Sequence, residues 1–377
     1  MSKVIVHIGS PKTGTTSIQA SLAHSLSDSR FRFISGTSSQ GNLAALCLFG
    51  GNCERYLKVR RINSSASNRE RLRRSANKQW SLRLRDALAD NVTPIVSSET
   101  CWKFDEAEYR DLRKFFEDRG FEVQIVAFLR PVLDYLSSAF QQLVKWQRMD
   151  WDSFLAEQAA VDYWKKIKML DHVFGTANVT LASYDPSRFP NGCVTQEFSS
   201  LIGLGMTPLQ STRRNESLSQ DAVKLVYALD RSTSLQQVAW KDQVKRSLLV
   251  RKMLELEGSE FKFHPAVFKQ LESAFWKRKD LLEQRLDCSF CFSTDSVLDD
   301  HVRSEDSLFD YSQSTLDWLA ANSGAPVLIT RSGDNLSRQV VRQLKQIPLY
   351  TDVDILRQEA RNIASRVRQT FSPLFSR

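Results

Sequence analysis

The residues best suited to chemistry stand at the front of the chain. Gly9-Ser10-Pro11-Lys12-Thr13-Gly14-Thr15-Thr16-Ser17 follows directly on the short run Val4-Ile5-Val6-His7-Ile8. A strand that turns through glycine into a helix N-terminus offers several backbone N–H groups and the positive end of the helix dipole to an anion, a combination that binds phosphate. The ATP-binding form of such a loop, GxxxxGK[ST], puts a lysine after the second glycine. Here Gly9 and Gly14 have that spacing, but Thr15 stands at the lysine position and the loop's only lysine is Lys12. A nucleotide kinase is therefore disfavoured. The pattern points instead to a phosphate grip for a group-transfer reaction, its bland alternative being a threonine-rich turn.

Two further charged residues close predicted strands. PIVSS (residues 94–98) runs into Glu99, and FEVQIVAFL (residues 121–129) runs into Arg130. A guanidinium makes two parallel charge-assisted hydrogen bonds to a phosphate, and a carboxylate can take the proton of an attacking hydroxyl. Arg130 reads equally as a salt-bridged strand end, and Glu99 as a cap or ion-pair partner. His7 is the rival base, although a position inside a strand suits a core histidine better.

These positions need a frame. Strands are expected at residues 4–10, 31–35, 94–98, 121–129 and 178–184, and helices at 15–26, 69–89, 106–118, 132–146 and 152–174, with a short helix in the loop between 36 and 51. In the helix from 69 to 89, Leu72, Ala76, Leu84 and Leu88 can line one face, before Asp90-Asn91 breaks it. Short apolar strands alternating with helices predict an α/β, doubly wound parallel sheet covered on both faces. In such sheets functional groups gather at the carboxyl edge, where residues 11–14, Glu99 and Arg130 would converge. From Ser219, a good N-cap, the pattern turns helical. Candidates run over 220–231, 238–256, 265–286, 337–346 and 352–370, with Pro265 at a first helical position. The expected division is a core over residues 1–220 and a mainly helical region over 221–377, packed on the core and shaping an acceptor site.

On these residues the chain resembles a known family. Pro11-Lys12-Thr13-Gly14-Thr15-Thr16-Ser17 is similar to the 5′-phosphosulfate loop of the PAPS-dependent sulfotransferases, whose usual form is PKSGTTW or PKTGTTS. In that family an arginine at a strand end and a serine eight residues later hold the donor's 3′-phosphate, a spacing matched by Arg130 and Ser138. Ser97-Ser98-Glu99 is similar to the SSE stretch of bacterial carbohydrate sulfotransferases. Arg213-Arg214-Asn215-Glu216-Ser217-Leu218-Ser219 is similar to their RxNxSLS stretch. The resemblance implies a P-loop-like fold and transfer of a sulfonate from PAPS to a hydroxyl or amine, leaving PAP, with no metal. It implies Lys12, Glu99 and Ser138 as the catalytic set, and residues 11–17, Arg130, Ser138, Arg213 and Arg214 as the donor site. The RKGxxGxWK stretch of the cytosolic small-molecule members is not found. The acceptor expected is therefore a carbohydrate or other hydroxyl-bearing molecule rather than a simple phenol or steroid.

Composition sets the outer bounds. The 377 residues, 42% hydrophobic, can bury a substantial core. The formal charge of +9 is local, because residues 55–85 hold eleven Lys and Arg against the single acid Glu70, leaving 41 basic and 42 acidic residues elsewhere. That segment suits an anionic acceptor or a solvated helix face more than nucleic acid. Cys288 and Cys291 form a CxxC, but no second pair completes a zinc set. Neither a signal peptide nor a membrane-spanning run is expected, which predicts a soluble, cytoplasmic protein.

Overall fold

The computed structural model describes residues 1–10, 12–35, 42–51, 53–54, 57, 63–146, 150–158, 162–204, 217–232, 240–270, 278–286, 301–325 and 333–348. Five strands, β1 (Ser2–His7), β2 (Phe31–Phe33), β3 (Thr93–Ser97), β4 (Phe121–Leu129) and β5 (Val179–Ser183), form one sheet in the order β2-β3-β1-β4-β5. Every pairing is parallel, and Val6 of the central strand lies between Val96 of β3 and Ile125 of β4.

Alternation along β1 sends its side chains to two separate cores. Val4, Val6 and Ile8 pack beneath α2 (Asn42–Phe49), α3 (Ala66–Ala89), α4 (Glu106–Glu117) and α7 (Tyr163–Phe174). Ile5 faces the opposite way, onto Ile18 and Leu22 of α1 (Thr15–Ser25) and Phe198 of α8 (Val194–Leu201). Both faces are thus covered, as an all-parallel sheet requires. The path from β1 through α1 leads to β2 at one edge. The later crossovers run toward the other edge over the opposite face, which keeps all of one hand. The connections that leave the neighbouring strands β1 and β4 run to opposite edges over opposite faces, and a doubly wound sheet opens its crevice at such a point, at the carboxyl ends.

The long helix α3 shows how the frame is held. Ser65 caps it by accepting from the Asn68 amide. Leu72, Ala76, Trp80, Leu84 and Ala87 are buried, whereas Leu88 is 39% exposed and does not belong to the apolar face. Steps of four residues drift around the helix, and a step of three from Leu84 to Ala87 restores the alignment. Trp80, absent from the expected face, is its anchor, with ring centroids 6.2 Å from Phe49 and Phe116 and 6.3 Å from Phe115.

A further core joins α5 (Val132–Trp146) to the later helices α6 (Trp151–Gln158), α9 (Gln220–Arg231), α10 (Trp240–Met253), α11 (Pro265–Gln270), α12 (Lys279–Leu286), α13 (Gln313–Ser323) and α14 (Gly333–Gln346). Phe140 sits at its centre, 5.1 Å from Phe154 and 5.3 Å from Phe263 between ring centroids. Arg246 of α10 pairs with buried Asp230 at 2.7 Å and donates to the Lys145 carbonyl at 2.8 Å, pinning α10 to α9 and to the end of α5.

Several bounds differ from expectation. The stretch 152–174 is two helices, α6 and α7, the second capped by Asp162, whose side chain accepts from Lys165 N. The stretch 265–286 contains α11 and α12, with residues 271–277 outside the described residues, as is the helix expected at 352–370. Helices α8 and α13 were not foreseen.

Removing the Trp80 indole leaves a void in a packed core. Trp80→Ala should cost about 3–5 kcal/mol and Leu88→Ala no more than about 0.5 kcal/mol, both read from urea denaturation midpoints. Equal effects would contradict the buried face described here.

Candidate functional site

Backbone hydrogen bonding carries β1 one step past its last paired residue, Ile8 N donating to Val126 O at 2.9 Å. At Gly9 a side chain is impossible without rearrangement, because a Cβ there would lie 1.8 Å from Thr15 Oγ1. Thr13 is fully buried, and its hydroxyl donates to Ser10 O at 2.6 Å, closing the turn from within. Lys12 has φ 68° and Gly14 φ 73°, both left-handed. For a lysine that conformation costs about 1–2 kcal/mol, so the surrounding packing must impose it. Gly14 precedes α1 without a side-chain cap, and Ile18 N donates to its carbonyl at 3.0 Å. The first N–H groups of such a helix have no acceptor within it. Thr15 Oγ1 is buried with no hydrogen-bond partner, while Thr16 and Ser17 are half-buried.

Arg130 comes to this loop from the neighbouring strand end. Its Nη1 donates to Lys12 O at 3.0 Å, its guanidinium carbon lies 5.4 Å from the centre of the Tyr184 ring, and its carbonyl accepts from the Tyr163 hydroxyl at 3.2 Å. The loop after β1 and the end of β4 are therefore tied together across the divergence point of the sheet.

Charge is concentrated there. Burial, then the Arg130 guanidinium, holds the Lys12 ammonium below its ordinary pKa, with Lys145 pushing the same way and the Glu99 carboxylate opposing. Glu99, half-buried, opens a 3-10 turn (Glu99–Lys103) at the end of β3. Tyr135 of α5 is pushed up to about 12, chiefly by burial and then by the carboxylates of Glu157 and Glu99. Ser138 is half-buried one turn beyond Tyr135 and two turns before Lys145, so the three share one stripe of α5. Its neighbour Ser137 has a structural task, donating to Leu133 O at 2.8 Å and accepting from Phe263 N at 3.0 Å.

Ser97 and Ser98 serve as braces. Ser97 Oγ shares a 2.8 Å hydrogen bond with His7 Nδ1, and Ser98 Oγ donates to Asn42 Oδ1 at 3.1 Å. His7 is fully buried against Phe198, with ring centroids 5.1 Å apart, and burial depresses its pKa to about 3. It is a neutral core histidine, remote from any proton acceptor role at the carboxyl edge.

Lys12, Glu99 and Arg130 lie together at the carboxyl edge, where Arg130 bonds the Lys12 carbonyl and Glu99 acts on the Lys12 charge, and Ser138 lies on the stripe of α5 that carries Tyr135 and Lys145. Pro11, Arg213, Arg214, Cys288 and Cys291 lie outside the described residues. Tyr135, Lys145, Tyr163 and Tyr184 escaped the sequence reading. Tyr184 was accessible to it, since it directly follows the last strand at the same edge. Among the described residues no three or more His, Cys, Asp and Glu side chains are grouped to hold a metal, and no helix is long and apolar enough to cross a membrane.

The arrangement defines an α/β protein with two cations, Lys12 and Arg130, and the carboxylate of Glu99 gathered at the carboxyl edge of an all-parallel sheet. Compared with known proteins, the sequence matches no family model and no curated protein.

Two measurements test the geometry. Gly9→Ala should destabilise the chain by about 1–3 kcal/mol through overpacking, and adding Thr15→Ala should recover part of that loss, since the clash is between those two groups. Strictly additive effects would show that no such contact exists. For His7, the unfolded chain takes up a proton near pH 6.5 while the folded chain does not until about pH 3. The contribution is therefore fully present above pH 6.5, and stability falls by up to about 1.4 kcal/mol per unit as the pH drops below it. Denaturation curves at pH 7 and pH 5 should show a smaller acid loss in His7→Asn than in the unaltered chain.

Proposed function

We propose that the protein is a PAPS-dependent sulfotransferase of the carbohydrate type, with a P-loop-like core. The observation that carries this reading is the hydrogen bond from Arg130 to the Lys12 carbonyl, which sets a guanidinium beside a glycine loop whose lysine is displaced from the ATP-binding position. Strand order 2-3-1-4-5 with the loop after the central strand supports the same view.

The residues present suit such a donor. Thr15 Oγ1, buried and unpartnered, is the kind of donor that an anion oxygen satisfies. The N–H groups of residues 13–17 and the helix dipole suit a 5′-phosphate, and Arg130 with Ser138 suits a second phosphate at the 3′ position. When bound, PAPS supplies an activated sulfonate and leaves as PAP. Lys12, partly withdrawn from water, offsets negative charge growing on the leaving phosphate. Glu99 takes the proton of the acceptor hydroxyl, and Tyr135 and Lys145 complete the wall facing it. Arg213 and Arg214 remain part of the proposal through the resemblance alone.

An anionic glycan is the acceptor class favoured. Arg71, Arg74, Lys78 and Arg85 fall on one stripe of α3 and are exposed. Because α3 feeds the start of β3, its N-terminal end lies at the same carboxyl edge as the loop. Glu70 pairs with Arg74 at 2.9 Å, while Arg71 bonds the neutral amide oxygen of Asn68, at 2.8 Å to Nη2.

PAP should raise the melting temperature without magnesium, and neither ATP with magnesium nor a DNA oligomer should do so. Lys12→Ala should slow sulfonate transfer by about 10²–10³-fold, and Arg130→Ala should weaken PAP binding by about 10–100-fold. Stabilisation by ATP with magnesium but not by PAP would make the chain a kinase. Salt-sensitive DNA binding indifferent to Lys12 would make it a nucleic-acid-binding protein.

A further inference from the structure

Helix α2 ends at Phe49, and the chain turns back through Gly50, whose N–H donates to Leu46 O at 2.9 Å. This reversal brings Cys53 onto Cys47, with the sulfurs 3.5 Å apart. Both side chains are buried together with Leu57 and Leu72. A groove between α2 and α3, lined by Leu43, Cys47, Leu72, Ser75 and Gln79 among others, runs alongside the pair. Arg69 of α3 stands on the Cys53 side, held at 2.8 Å by Glu54.

We propose that Cys47 and Cys53 are a reversible dithiol–disulfide site, oxidised by a hydroperoxide. A bonded pair needs a separation of about 2 Å, so the sulfurs must approach by about 1.5 Å. The two thiols are unequal. Cys53 accepts the Cys47 S–H and feels the Arg69 guanidinium, both of which favour its thiolate, while burial opposes them. Cys47 is the thiol that keeps its proton. Cys101 provides an internal contrast, fully enclosed, with no sulfur partner among the described residues and its thiol pushed up to about 12 by burial.

The chemistry balances. The Cys53 thiolate attacks one peroxide oxygen, the O–O bond breaks, and the released hydroxide takes up the proton Cys53 had shed, giving a sulfenic acid and water. The Cys47 sulfur then attacks the Cys53 sulfur, the S–O bond breaks, and the Cys47 proton leaves with the hydroxyl as a second water. Two thiols and one hydrogen peroxide become one disulfide and two waters, the sulfurs losing two electrons to the peroxide oxygens.

The position is not remote from the candidate site. Helix α2 starts at Asn42, whose side chain accepts from Ser98 Oγ at 3.1 Å and whose carbonyl accepts from Thr100 Oγ1 at 3.2 Å, on either side of Glu99. The disulfide would tie down the far end of the helix that braces Glu99. This chemistry is independent of what the phosphate loop binds.

Both cysteines lie in the tryptic peptide of residues 33–55, which has no internal Lys or Arg. The reduced full-length chain, treated with a small excess of hydrogen peroxide and then iodoacetamide, should yield that peptide two hydrogens lighter and unalkylated. Dithiothreitol should return it to the doubly alkylated form, and its alkylation should be lost about tenfold faster than that of Cys101. Cys53→Ser should leave Cys47 reduced and alkylated. The inference is overturned if the peptide stays doubly alkylated while half-buried Cys193 is oxidised, if oxidation stops at a sulfinic acid without an S–S bond, or if either cysteine pairs with Cys288 or Cys291.

Discussion

The contact between Gly9 and the hydroxyl of Thr15 decides where the chain can go after the central strand. β1 is hydrogen-bonded on both sides and buried on both faces, so its continuation can leave only through the carboxyl edge of the sheet. With no side chain at Gly9, α1 can start close against the strand end, and the intervening residues are forced into a tight turn. The left-handed backbone at Lys12 and Gly14 follows from that compression, as does the inward-facing Thr13. A wider loop would relieve the strain but would move the helix N-terminus away from Arg130.

Electrostatic order at the edge comes from sheet order. β3, β1 and β4 are neighbours, and each ends in a residue of different character: Glu99, the glycine loop with Lys12, and Arg130. The two cations repel, and the Arg130 guanidinium takes the Lys12 carbonyl as an acceptor, which fixes its distance from the loop. Glu99 on the other side of β1 partly offsets the effect of that repulsion on the Lys12 ammonium. A parallel sheet with this strand order therefore sorts one anion and two cations into a row without any of them being adjacent in the chain.

Much of this was legible in the residues themselves. β4 was visible to its ends because nine residues of mainly apolar character were bounded by Gly120 and Pro131. β1 was misjudged because Ser2 and Lys3 pair with Phe121 and Glu122 despite being polar, and because Gly9 turns out of the ladder. Helix α8 was invisible for a physical reason. Its buried face carries Val194, Thr195, Phe198 and Ser199, and Ser199 satisfies its own hydroxyl on the Thr195 carbonyl, so a polar sequence hides an inward face. Tyr163 reaches Arg130 across 33 positions, and Cys53 reaches Cys47 by a chain reversal. Neither pairing has a spacing rule, whereas Cys288-Cys291 drew notice through spacing alone.

Helix α5 belongs to two environments at once. Its inner stripe, Val132, Leu136, Phe140 and Val144, is packed among the helices of the last third of the chain, and another stripe carries Tyr135, Ser138 and Lys145, of which Lys145 acts on the Lys12 charge and Tyr135 feels the Glu99 carboxylate. Of its two adjacent serines, Ser137 is fastened to the Phe263 amide, while Ser138 is half-buried on the second stripe. The gap between the loop and that stripe is consequently a property of helix packing. Substitutions in the C-terminal core, distant in sequence from every charged group of the site, can widen or narrow that gap while leaving the loop untouched, giving the molecule a mechanical adjustment separate from its chemistry.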